Sequence, residues 1–137
     1  MGSNEKARNE VLETVQDELR PNEDVIAVFP FASTPKRPRG PEGKTRDGIY
    51  QSYRRYRPMV LTTQRLLVLD AGRTPHPRGL VLGAFPSDDV DVVDVIPGRF
   101  NQNRILLNLP GLGTVPFEIG GYEVDDLARL RAVLERP

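Results

Sequence analysis

The chain has 137 residues, 19 basic and 19 acidic side chains, and no cysteine. That length fits one domain, and the lack of cysteine excludes disulfides, thiolate metal ligands and thiol nucleophiles. No apolar run approaches the roughly 18 residues a membrane span needs, and the polar residues 1–10 carry no signal-peptide core, so the expectation is a cytoplasmic protein.

The balanced total hides a segregated one. Residues 1–31 hold three basic and seven acidic side chains, whereas residues 32–57 hold eight basic and two acidic ones. Residues 88–137 return to acid, with nine against five. Sequence-local charge of this kind becomes a field only if the fold keeps it together.

In chain order, residues 4–19 predict a helix. Ser3 or Asn4 can cap it, and Ala7, Val11, Leu12, Val15 and Leu19 recur as one narrow apolar stripe before Pro21. Residues 24–29 are β-branched and apolar, hence a strand. Residues 32–53 form a long basic insert, broken by Pro35, Pro38, Gly40, Pro41 and Gly43. Residues 48–57 interleave Tyr50, Tyr53 and Tyr56 with Arg54, Arg55 and Arg57, and read as a lead-in strand or a short helical turn. Next come two apolar arms, 59–61 and 66–69, around a break too short for a helix; this is the central hairpin. Strands follow at 79–85, 90–96, 104–109 and 114–119, the last two joined by a Pro110-Gly111-Leu112-Gly113 turn. Pro116 inside the last of these places it at an edge, or faces away from its partner. Residues 122–135 close the chain as a helix with acid early, Arg late, and Val124, Leu127, Leu130 and Leu134 as its stripe.

The order is helix, seven strands, helix: a mainly β, α+β fold. Seven antiparallel strands cannot bury both faces of one flat sheet, so a sandwich or partly open barrel is expected, with the C-terminal helix as its cap. The run Leu61-Thr62-Thr63-Gln64-Arg65-Leu66-Leu67-Val68 resembles the turn between the second and third strands of bacterial pleckstrin-homology-like (PH/GRAM-like) domains. Phe85-Pro86-Ser87-Asp88-Asp89-Val90 is similar to the family's acidic turn before its fifth strand, and the ending of two strands, glycine turn and amphipathic helix matches as well. The resemblance covers about residues 20–136. It departs in the length of the 32–53 insert and in Thr63, where Asp or Asn is commoner. It implies a seven-stranded PH-like domain over residues 21–137, with residues 1–20 as an extra N-terminal helix packed on that domain or docked on a second copy.

The resemblance also implies where a partner would bind. In eukaryotic relatives the first-to-second strand loop grips phosphoinositide head groups. Here that region supplies Lys36, Arg37, Arg39, Lys44, Arg46, Arg54, Arg55 and Arg57 as the candidate binding residues. Arginine suits phosphate because its planar fork donates two parallel hydrogen bonds. The expected function is a non-enzymatic binding or regulatory module with a protein partner. The alternative is peripheral binding to anionic lipid at the inner membrane face through residues 36–57, and the second alternative is nucleic acid, against which the zero net charge argues. Asp88, Asp89, Asp91 and Asp94 lack the glycine-turn spacing of a cation loop. His76 stands alone between two prolines, without a second His or a Cys to complete a zinc site or a triad. No cofactor or metal is expected.

Overall fold

The first strand pair is longer than the apolar run at 24–29 suggests. In the computed structural model, which describes residues 3–34, 55–71, 77, 81–98 and 102–135, it is built from two bent chains. One chain is β1 (Val25–Phe29) followed by β2 (Ser33–Thr34); the other is β3 (Arg55–Tyr56) followed by β4 (Met59–Thr62). β1 pairs with β4 and β2 pairs with β3, both antiparallel. The bends fall at Pro30 and Pro58, where a proline cannot donate to the ladder. Ala32 N–H donates to the Phe29 carbonyl (3.3 Å) and Arg57 N–H to the Ala32 carbonyl (2.8 Å), which carries the pairing around the corner.

This bend passes the hairpin from one sheet to another. The first sheet has the order β1-β4-β5-β6, with β5 at Arg65–Leu69 and β6 at Val81–Pro86. The second has the order β3-β2-β9-β8-β7, with β7 at Asp91–Pro97, β8 at Asn103–Leu109 and β9 at Gly113–Ile119. A 3-10 turn, Ser87–Asp89, joins β6 to β7. The mainly β, α+β class therefore holds, while in place of the expected seven-strand sandwich or partly open barrel the described residues form two open sheets of four and five strands, without a closed barrel. The added strands are β2 and β3, each two residues long, too short to leave an apolar pattern in the sequence.

Two cores result. Between the sheets lie Ala27, Phe29, Met59, Leu61, Leu66 and Val68 from the four-stranded sheet, against Ile105, Leu107, Leu109, Val115, Phe117 and Ile119 from the other. Helix α2 (Val124–Leu134) closes this layer with Leu130 and Leu134. The alternate residues Val28, Val60, Leu67 and Leu69 point to the opposite face, where Val11 and Val15 of α1 (Ser3–Gln16) cover them. Strands β1, β4 and β5 thus bury both faces, which is why they read as unbroken apolar runs instead of alternating ones. Burying Val11 and Val15 contributes about 2 kcal/mol each to holding the helix down.

The turns follow from local chemistry. At 62–65 no residue has positive φ; Thr62 Oγ1 instead accepts from the N–H groups of Gln64 and Arg65, both at 3.1 Å. A threonine hydroxyl folding the chain over itself replaces the usual Asn or Gly. The β8–β9 turn uses Gly111 and Gly113, both in the left-handed region. Pro116 is paired with Leu106 of β8, and among the described residues β2 meets β9 at Ser33–Glu118 and not at the proline.

Candidate functional site

Six of the eight candidate binding residues, Lys36, Arg37, Arg39, Lys44, Arg46 and Arg54, lie outside the described residues, as do Tyr50, Tyr53 and His76. Arg55 sits in β3 with its backbone opposite Thr34. Arg57 differs from the exposed cation expected of it. It is 3% exposed, and its Nη1 donates to Asp70 Oδ1 at 2.6 Å. The corner at Pro58 turns this side chain into the protein, where an unpaired charge would be costly, so its position is structural. Strands β2 and β3, which flank residues 35–54 in sequence, border a cleft of about 320 Å³ lined by Phe31, Ser33, Tyr56, Gln102 and Glu118. The Glu118 carboxylate accepts from Arg104 (2.9 Å). Gly121, with φ of +58°, forms part of the floor; a Cβ there would stand 2.6 Å from the Phe31 ring.

Two buried carboxylates organise the remaining polar groups. Glu23 lies in the connection from α1 to β1. Its Oε1 accepts from Arg20 N–H (2.8 Å) and Arg65 Nη2 (3.1 Å); its Oε2 accepts from Thr62 Oγ1 (2.6 Å) and Arg65 Nε (2.9 Å). Burial pushes this carboxyl up, but the hydrogen bonds from Arg65, Arg20 and Thr62, with the Arg65 charge, outweigh it and lower it from 4.5 to about 2. Arg65 Nη2 also donates to the Glu18 carbonyl (2.6 Å), holding the end of the α1 segment. The acidic turn docks on the same hairpin tip, with Ser87 N–H donating to the Gln64 carbonyl (3.0 Å). Two of the three features that carry the family resemblance, the 61–68 run and the 85–90 turn, are therefore in direct contact.

Asp126, the second carboxylate, is fully buried on α2. Its Oδ2 accepts from Val28 N–H on the edge of β1 (3.2 Å) and from Arg8 Nη1 on α1 (2.8 Å); its Oδ1 accepts from Arg129 Nη1 (2.9 Å). One side chain thus joins both helices to a strand edge. Its early position in α2 invited a helix-dipole role. The missed signal was spacing: Asp126 is four residues before Leu130 and eight before Leu134, so it shares their buried face.

The other feature left open is the pair of strands that end the two sheets. Among the described residues β6 pairs only with β5, and β7 only with β8. Leu82 on β6 and Val93 and Ile96 on β7 are three of the four large apolar side chains exposed among the described residues. No three His, Cys, Asp or Glu residues among those described converge as metal ligands, and no described helix is long and apolar enough to cross a membrane. No protein-family model matches the sequence, and no curated protein matches it significantly.

Proposed function

We propose that this chain is a pleckstrin-homology-like, non-enzymatic interaction module of a bacterial cytoplasm, and that its partner is a protein. The observation that carries the reading is the use of the buried charges. Glu23, Arg57, Asp70 and Asp126 are each engaged in binding one part of the fold to another, which among the described residues leaves the sheet edges and the cleft beside β2 and β3 as accessible recognition features. A first hairpin bent between two sheets, a three-strand meander and a C-terminal helix over the inter-sheet core also support the PH-like comparison. Scaffolds of this kind bind extended segments by adding a strand.

The test is affinity capture on the immobilised whole chain, followed by calorimetry with the purified captured protein. Cosedimentation with vesicles of neutral and of anionic lipid runs in parallel. The expected result is saturable, stoichiometric protein binding and no dependence of cosedimentation on anionic lipid. Salt-sensitive cosedimentation with anionic vesicles alone would replace the protein partner by a membrane surface.

A further inference from the structure

We propose that the cleft beside β2 and β3 receives an arginine side chain of the partner protein; this deepens the interaction-module reading and rests on it. The sheet register builds the cleft. Tyr56 of β3 lies opposite Ser33 of β2, and Ser33 lies opposite Glu118 of β9. Residues directly opposite share a face of the sheet, so these side chains form one row across neighbouring strands. Strands lie about 4.8 Å apart, which sets the Tyr56 and Glu118 positions roughly 10 Å from each other. Ser33, the small member between them, is 2% exposed and forms the floor of the gap. Phe31, Gln102 and Asn4 line the rest. A glycine brings the chain close on one side: a Cβ at Gly120 would stand 3.0 Å from Gln102 Cγ.

The lining selects the occupant. Among the described residues that line the cleft there is no Lys or Arg, and the ionised group is Glu118. Arg104 donates to that carboxylate from β8, on the side of β9 away from Ser33. A carboxylate has about four acceptor sites, and Glu23 shows how many donors one can gather in this protein, so the Arg104 contact does not exhaust Glu118. Asn4 and Gln102 add side-chain amide oxygens, and Phe31 and Tyr56 add ring surface. A guanidinium uses all of these: it carries five N–H donors in a plane that also stacks on aromatic faces, whereas an ammonium is a point charge without a plane. The volume of about 320 Å³ is at the small end of ligand pockets, which run from about 300 to 1,000 Å³, and suits a single side chain.

The probe is an end-blocked glycine–glycine–arginine–glycine–glycine peptide, with citrulline in place of arginine as a neutral control of the same shape. Amide chemical shifts of the whole chain are followed up to millimolar peptide. The expected result is saturable shift changes at Ser33, Tyr56, Gln102 and Glu118 with the arginine peptide and none with the citrulline peptide. Glu118→Gln should weaken binding by about fivefold or more, as loss of a charge-assisted hydrogen bond does. Arg104→Gln should instead strengthen it by about twofold or more, because a like charge leaves and the carboxylate stays. A merely structural role for the Arg104–Glu118 pair would move both variants the same way. Equal binding of the citrulline peptide, weakening by both substitutions, shift changes elsewhere, or no binding at millimolar peptide would each overturn the proposal. Binding seen only after residues 35–54 are replaced by Asn-Gly would also overturn it, by assigning the cleft to the chain's own basic residues. The captured protein separates the two levels. If it binds the Glu118→Gln chain undiminished, the cleft site fails and the interaction module stands; if no protein is captured and the peptide does not bind, both fail.

Discussion

Glu23 is where a single residue sets a measurable property of the whole chain. Its folded pKa of about 2 lies below its ordinary 4.5, so its contribution is complete above about pH 5 and is lost as pH falls from there towards 2. The contribution is at most about 3 kcal/mol, and smaller as salt screens the partly exposed Arg65. Urea melts of Glu23→Gln should therefore show a lower midpoint than wild type at pH 7 and nearly the same midpoint at pH 2. Parallel curves over that range would show that Arg65 does not hold the carboxylate. Asp126→Ala should cost about 2–3 kcal/mol, chiefly because it leaves the buried Val28 N–H without its acceptor, while Arg8 and Arg129 lose a partner but keep contact with solvent. In a double-mutant cycle, Arg8→Ala should cost clearly less in the Asp126→Ala background than alone; additivity within about 0.5 kcal/mol would show that the contact carries no energy. Neither carboxylate stood out in the sequence. Glu23 sits in a polar loop among other acids, and only the folded partners distinguish it.

The elements differ in how plainly their residues announced them. The α1 stripe of Ala7, Val11 and Val15 is buried as its spacing required, although the helix ends at Gln16 and not at residue 19. Strands β4 and β5 were legible because two buried faces leave an apolar run, and β8 and β9 because one buried face leaves alternation of Ile105, Leu107 and Leu109 with Val115, Phe117 and Ile119. Strands β2 and β3 were not, because Ser33 and Thr34 are buried through pairing and not through hydrophobicity. The buried place of Arg57 was hidden for the same reason: a corner decided it, and corners have no period. Deleting residues 1–20 should expose Val28, Val60, Leu67 and Leu69 and remove Glu18 from Arg65. We expect a melting temperature lower by more than 10 °C in order of magnitude or self-association by light scattering; an unchanged, monomeric domain would show that α1 is dispensable.

At the scale of the molecule, the insert can be tested apart from the described fold. The last β2–β3 pair among the described residues is Thr34–Arg55, so replacing residues 35–54 by Asn-Gly gives β2 and β3 a two-residue hairpin turn. That variant should keep its far-ultraviolet circular dichroism and melt within a few degrees of the full chain; collapse would show the insert to be part of the core. It also removes Lys36, Arg37, Arg39, Lys44, Arg46 and Arg54 at once, so comparing it in the vesicle assay isolates the basic segment. The bent hairpin has one more consequence. A cut anywhere in residues 35–54 divides the chain into a piece holding α1, β1 and β2 and a piece holding everything from β3 to α2. The β1–β4 ladder, the Glu23–Arg65 clasp and the Arg8–Asp126 clasp all span that division. The two pieces are complementary halves, each carrying one side of every such contact. Expressed separately, they should reassemble on mixing, and the protein becomes a reporter that is whole only when its halves are brought together.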